Sequence, residues 1–99
     1  MLFRSLQMLQ ARQAADRENA AQKEEALKRV AAAETRVREL EKKQSKLRNP
    51  LLGAVQPDSG EEESWRAADQ AGRLRMTEES LAAARTDLGQ ARKELRELH

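Results

Sequence analysis

The alternation of apolar and polar residues is most regular in the second half of the chain. Leucines recur there every seven residues, at Leu74, Leu81, Leu88 and Leu95. A second row consists of Thr77, Ala84, Ala91 and Leu98, each of which follows a leucine of the first row by three residues. Apolar residues spaced three and four apart form the stripe by which helices pack into a left-handed coiled coil. The pattern therefore predicts a helix over about residues 61–98 with one apolar face.

The first half predicts a longer helix, over about residues 2–48, whose apolar face is less regular. Its candidate seam residues are Leu27, Val30, Ala33, Val37, Leu40 and Leu47, with Gln44 as a polar intruder. The step from Leu27 to Val30 and then Ala33 omits one residue from the usual alternation of four and three. Such an omission predicts a local overwinding of the coil. Upstream, the stripe meets mostly polar residues before it reaches Leu9, Leu6 and Leu2.

Residues 49–60 separate the two predicted helices and contain both prolines of the chain. Asn49 is expected to take a left-handed cap, and Pro50 prevents the first helix from continuing. Ser59, followed three residues later by Glu62, fits a capping box at the start of the second helix. A connection of this length allows the chain to reverse. The predicted fold is all-α, with two long helices in an antiparallel coiled-coil hairpin that makes residues 1–99 a single module.

The apolar residues 51–55 in this connection are open to two interpretations. They can fold back over Leu47 and Trp65 and plug the open end of the hairpin. Otherwise the tip presents an apolar knob beside an acidic collar of Asp58 and residues 61–63, a surface suited to protein docking.

Large apolar side chains are too few to complete such a hairpin. The chain is 36% charged and 2% aromatic, and alanine supplies much of its hydrophobic content. We therefore expect the hairpin to pack into a dimer or a higher helical bundle, with a second copy (dimer favoured) or with another coiled-coil protein. The predicted association seam consists of Val30, Val37, Leu40, Leu47, Leu74, Leu81, Ala84, Leu88, Ala91, Leu95 and Leu98.

The residues that carry most enzyme chemistry are missing from the sequence. There is no cysteine, no glycine-rich phosphate loop and no metal-binding spacing, and the sole histidine, His99, is the last residue. Paired carboxylates such as Glu24 and Glu25 lie on a predicted exposed helix, whereas a general acid needs a buried environment. We expect a protein that is not an enzyme and has no cofactor or metal. The lack of cysteine and of a signal peptide predicts an intracellular, cytoplasmic protein.

The net charge of +2 conceals an uneven distribution. Residues 1–49 carry twelve Lys/Arg against seven Asp/Glu, whereas residues 50–64 carry four acids and no base. The basic first helix makes a nucleic-acid-binding arm the alternative function. The four leucines resemble a leucine zipper in spacing, but no basic region of the DNA-binding kind adjoins them. A non-enzymatic coiled-coil module for protein association, such as an adaptor, scaffold or assembly factor, is therefore the preferred prediction.

The remaining large apolar residues predict where a partner would bind. Those near the N-terminus are flanked by Arg4 and Arg12, a combination that also suits contact with a membrane surface. No stretch approaches the roughly 20 apolar residues of a transmembrane helix. The candidate partner surface consists of Leu2, Phe3, Leu6, Leu9, Leu51, Leu52, Val55 and Trp65.

Overall fold

The computed structural model describes residues 2–98, with side chains from Arg4 onward. Within these residues the chain forms helix α1 (Leu2–Arg48), a 3-10 turn (Pro50–Leu52), a short helix α2 (Glu62–Ala67) and helix α3 (Gln70–Glu97), and it contains no strand. Helices α1 and α3 pack along each other. The predicted all-α helical hairpin is confirmed.

Ion pairs between the two long helices define their relative direction. Near the end of α1, Arg48 lies 3.3 Å from Glu78 in the first part of α3. Some five turns earlier in α1, Arg29 lies 3.3 Å from Glu94 near the end of α3. Residue numbers thus rise along α1 as they fall along α3, and the helices are antiparallel.

The core is a narrow strip between α1 and α3. Its buried residues are Ala26, Val37 and Leu40 of α1 and Thr77, Leu81, Ala84, Leu88 and Ala91 of α3. The partly buried Val30 and Ala33 pack against them. Alanines interspersed with larger aliphatic residues allow the helices to approach closely. On α3 the two rows expected from the sequence thus form the packed face.

On α1 the prediction that Leu27 lies in the seam is wrong. Leu27 is 54% exposed, and its neighbour Ala26 is buried instead. One residue corresponds to a rotation of about 100° around a helix, so the two side chains cannot share the packed face. With Ala26 in place, positions 26, 30, 33, 37 and 40 alternate four and three without interruption. The predicted phase shift is therefore absent. The residue that continues the regular helical spacing, Ala26, is buried, although Leu27 beside it has the larger apolar side chain.

Four of the predicted seam residues lie at the ends of the hairpin and are only half-buried. They are Leu47, Leu74, Leu95 and Leu98. Leu98 lies just beyond α3, where its backbone N–H donates to the Leu95 carbonyl at 3.2 Å. The one buried polar residue of the strip, Thr77, donates its hydroxyl to the Arg73 carbonyl at 3.0 Å. Its polar atom is therefore satisfied without any group from α1.

A ladder of three ion pairs covers one flank of the strip. Glu34 lies 3.4 Å from Arg92, and Glu41 lies 3.7 Å from Arg85. The Arg48–Glu78 pair continues the series, so that one pair occurs every seven residues along each helix. These side chains are substantially exposed and individually stabilise little. They nevertheless make this flank of the hairpin charged rather than apolar.

The chemistry of the turn differs from the sequence prediction at Asn49 and Ser59. Asn49 is extended (φ −132°, ψ 91°) rather than left-handed, and its side chain accepts the Leu51 N–H at the start of the 3-10 turn. Ser59 does not cap the second helix. Glu61 occupies the N-cap position of α2 without a side-chain bond, and the Glu62 carboxylate accepts the Gly60 N–H at 2.9 Å. The capping-box prediction is therefore wrong.

The second helix is interrupted, whereas the sequence predicted one helix over 61–98. Ala68 is extended (φ −86°, ψ 144°) and ends α2. Asp69 then caps α3, because its carboxylate accepts the Gly72 N–H at 2.8 Å. The break turns the short α2 so that Trp65 lies in the tip of the hairpin. Heptad periodicity could not reveal it, because it falls before Leu74, the first residue of the leucine row.

Candidate interaction surfaces

Trp65 forms the core of the tip and does not belong to a partner surface as the sequence suggested. It is 4% exposed. The Lys43 ammonium lies 4.5 Å from the centre of its ring, and the Arg73 guanidinium carbon lies 5.4 Å from it. Arg73 also donates from Nε to the Trp65 carbonyl at 2.8 Å. The apolar plug of the hairpin is thus this one aromatic ring, held by two cations.

Asp58 fastens the connecting loop to α1. Its carboxylate accepts two hydrogen bonds from Arg36, at 2.6 and 3.4 Å, and lies 3.5 Å from the Lys43 ammonium. The Arg36 hydrogen bonds hold the pKa of Asp58 below its ordinary value, although partial burial opposes them, and Lys43 lowers it further. Asp58 is therefore a structural clamp, and the acidic collar predicted from the sequence loses one of its members.

The 3-10 turn presents an exposed apolar knob, which we define as Leu51 and Leu52. Leu51 is 94% exposed and Leu52 is 56% exposed. Three hydrogen bonds hold the turn: Leu51 N–H to the Asn49 side chain at 3.2 Å, Leu52 N–H to the Asn49 carbonyl at 3.0 Å, and Gly53 N–H to the Pro50 carbonyl at 3.3 Å. Val55 is half-buried beside α1. The prediction that residues 51–55 fold back as a plug is thus wrong for the two leucines.

Beside the knob, α1 carries a basic ridge, defined here as Arg38, Lys42 and Lys46. These residues follow one another at intervals of four, and none has an acidic side chain within 4 Å in the described part of the chain. Two further cations lie in the same part of α1, Lys43 and Arg48. Both instead have partners, Lys43 in Asp58 and Trp65, and Arg48 in Glu78.

The other end of the molecule is an unpaired stretch of helix, which we call the arm and define as residues 4–25 of α1. All of its side chains are exposed, because α3 ends beside Ala26 and does not accompany the rest of α1. Its large apolar residues are Leu6, Met8 and Leu9, each at least half exposed. The side chains of Leu2 and Phe3, which the sequence placed in the same surface, lie outside the described residues.

A shallow groove lies at the base of the arm, where α3 stops. Its floor consists of Ala21, Ala26 and Leu98. Its rim carries four carboxylates and one cation, namely Glu18, Glu25, Glu94, Glu97 and Arg29. Periodicity alone does not indicate this groove, because its position depends on where α3 ends against α1. The unequal lengths of the two predicted helices were the only signal in the sequence.

Among residues 2–98 no three His, Cys, Asp or Glu side chains lie close enough to hold a metal ion. In the same residues no helix combines the length and apolarity needed to cross a bilayer.

The comparisons with known proteins leave the description at the level of fold. A search against protein-family models, curated proteins and solved structures gave no match. What the geometry of the chain shows is a helical hairpin with one long unpaired arm.

Proposed function

We propose that the chain is a non-catalytic protein-interaction module that associates, with a second copy or with another helical protein, through its arm. The observation that carries this proposal is the exposure of Leu6, Met8 and Leu9 on a stretch of helix that no other described residue covers. A single helix in water is marginally stable on its own. A cluster of exposed large apolar side chains is typical of an interaction site. A module of this kind acts as a scaffold, adaptor or assembly factor.

The leucine row is a less suitable surface for a partner than the sequence suggested. Leu81 and Leu88 are already buried against α1 within one chain, and the ion-pair ladder flanks them. A partner could reach them only if α1 and α3 separated and exchanged between chains. This favours association through the arm over association through the seam.

A photoreactive amino acid placed at position 9 tests the proposal in living cells. We expect it to crosslink the chain to a discrete protein, either a second copy or another polypeptide. The matched control is the same photoreactive residue in place of Thr86, which is exposed on α3 far from the arm. Adding Leu6→Lys to the protein that carries the photoreactive residue at position 9 should abolish the crosslink. Equal labelling from positions 9 and 86 would contradict the proposal.

Nucleic-acid binding is the second candidate function, and the basic ridge is the observation that favours it. Arg38, Lys42 and Lys46 lack acidic partners, and clustered cations of this kind bind phosphates. The absence of exposed aromatic residues in the described chain weighs against it, because single-stranded nucleic acids are usually held by stacking. The sole tryptophan is buried.

Fluorescence anisotropy with a labelled oligonucleotide distinguishes the two candidates. Phosphate binding should weaken by about a thousandfold or more between roughly 50 and 200 mM salt if six or more phosphates are contacted. The triple variant Arg38→Gln, Lys42→Gln, Lys46→Gln should reduce both the affinity and the salt slope. No binding at the lower salt concentration would exclude this candidate.

A further inference from the structure

The two ends of the paired helices each carry an apolar patch that adjoins unpaired charged side chains, cations at the tip and carboxylates at the base of the arm. At the tip, the knob stands at the end of the basic ridge, and Leu52 adjoins Arg38, Lys42 and Lys46 along one groove. Residues 36–48 contain six Lys/Arg and two Asp/Glu. Arg36, Lys43 and Arg48 of this stretch are paired with acids. The knob is therefore an apolar projection with the three unpaired cations of the ridge on its α1 side.

At the opposite end, the groove at the base of the arm is an apolar depression with a negative surround. It has a volume of about 500 Å³, in the size range of pockets that accept small organic groups. Glu18 and Glu97 on its rim have no cation within 4 Å in the described chain, whereas Glu94 pairs with Arg29 and Glu25 with Lys28. Two rim carboxylates thus remain available to a basic partner.

We propose that the occupant of this groove is the tip of a second copy of the same chain. The inference rests on the proposed function and specifies its partner. The knob supplies two exposed leucines to a floor of Ala21, Ala26 and Leu98, and the ridge cations meet the rim carboxylates. Complementary charge of this kind guides encounter and fixes orientation, while the buried apolar contact supplies most of the affinity.

The molecule is 75 Å long and 22 Å wide. The tip lies at one end of it, whereas the groove lies at the other end of the paired helices, and the arm continues for about 30 Å beyond the groove at 1.5 Å per residue. A contact between unlike surfaces of identical subunits is heterologous, and it gives an open chain of subunits unless a rotation closes it into a ring. A copy seated in the groove begins where α3 stops and continues alongside the arm. The arm therefore does not block it but provides an additional surface beside it. Each copy would extend the assembly by one hairpin.

Two variants designed to block opposite ends test the proposal. Leu51→Glu with Leu52→Glu removes the knob, and Ala21→Lys with Glu97→Lys blocks the groove. All four side chains are exposed, so neither variant should disturb the hairpin. The matched control, Ala82→Lys with Glu79→Lys, makes the same chemical changes on the exposed outer face of α3. Mass is measured by light scattering over a range of concentrations on the full chain.

We expect the wild type and the control to grow beyond dimers as concentration rises, and each blocked variant to remain monomeric. An equimolar mixture of the two blocked variants should form a species of twice the 11.2 kDa chain mass and nothing larger. In that mixture one variant keeps only its groove and the other keeps only its knob, so assembly stops when two chains have joined. Raising the salt concentration should weaken every assembly that forms.

Three results would overturn the inference: a wild type that stays monomeric throughout, blocked variants that assemble like the wild type, or a mixture that stays monomeric while the wild type assembles. The arm variant Leu6→Lys, Leu9→Lys separates this failure from that of the proposed function. Association through the arm stands without the end-to-end contact in either of two cases. In the first, the arm variant prevents assembly and the two blocked variants do not. In the second, position 9 crosslinks in cells while the wild type is monomeric in solution. If the end-to-end test fails and neither case is observed, both proposals fail.

Discussion

Trp65 shows how a single residue can complete a hairpin that is poor in large apolar side chains. It is the one aromatic ring in the tip, and Lys43 and Arg73 lie over it. The Lys43 side chain is itself 12% exposed and also contacts Asp58. The ring, the cations and the carboxylate therefore form one connected cluster. The sequence did not indicate this cluster, because the contacts of the tryptophan with Lys43 and Arg73 depend on how the loop and α2 pack against the long helices.

Asp58→Asn tests the clamp within that cluster. We expect the free energy of unfolding near neutral pH to fall by about 1 kcal/mol, the upper end for partly exposed ion pairs. The folded pKa of Asp58 is lower than its unfolded value. Its stabilisation is therefore fully present above an unfolded pKa of about 3.9 and is lost as pH falls through the folded pKa.

The measurement is urea unfolding followed by Trp65 fluorescence, at neutral pH and at successively lower pH. The difference between wild type and Asp58→Asn should shrink in acid as Asp58 becomes protonated. A difference that is unchanged in acid would show that the substitution acts through something other than the charge.

The register of the packed face is tested by two leucines of the same helix. Leu40→Ala should cost about 2–5 kcal/mol, because Leu40 is 1% exposed and its removal leaves a cavity. Leu27→Ala should change stability by no more than about 0.5 kcal/mol, as is usual for exposed positions. Chemical denaturation of both variants measures the difference. Equal losses would mean that Leu27 is in the seam after all.

At the scale of the elements, the long helices were predictable and their junction was not. Heptad spacing identified the apolar face of α3 and, from Val30 to Leu40, that of α1. Continued upstream of Val30, the same spacing indicates Ala26, but the larger apolar Leu27 beside it led to the wrong assignment. The spacing could not locate the end of α2, since Ala68 and Asp69 are compatible with a continuous helix. Whether the helix continues or breaks at these two residues depends on the tertiary packing of Trp65.

The N-cap of α3 gives a matched test of that junction. Asp69→Ala removes the carboxylate that accepts the Gly72 N–H and should destabilise the hairpin by about 0.5–2 kcal/mol. Ser59→Ala, at the N-cap predicted from the sequence, should have almost no effect, because the structure gives the Ser59 side chain no role in capping. Thermal or urea unfolding compares them. A larger loss from Ser59→Ala would indicate that the second helix begins as one unbroken element.

The candidate surfaces belong to the scale of the whole molecule, and the sequence located them only in part. The leucines of the knob and arm were singled out as a partner surface, but those of the knob were also open to interpretation as a buried plug, and the sequence did not decide between the two. The groove, the basic ridge and the burial of Trp65 were not predicted, because each depends on how α1, α3 and the loop lie against one another. Helices of unequal length leave the arm uncovered, and that inequality gives the molecule two different ends.

A single chain closes its own seam and leaves its arm uncovered. Hydrogen exchange of the backbone amides, resolved by mass spectrometry, tests this architecture on the 99-residue chain at a dilution where it is monomeric. Amides of residues 30–44 and 77–91 should be strongly protected, because opening them requires separating the two helices. Those of residues 6–20 should exchange much faster, since an isolated helix frays readily. Equal protection of the arm and the seam in the monomer, or no protection of the seam, would contradict a closed seam with an uncovered arm.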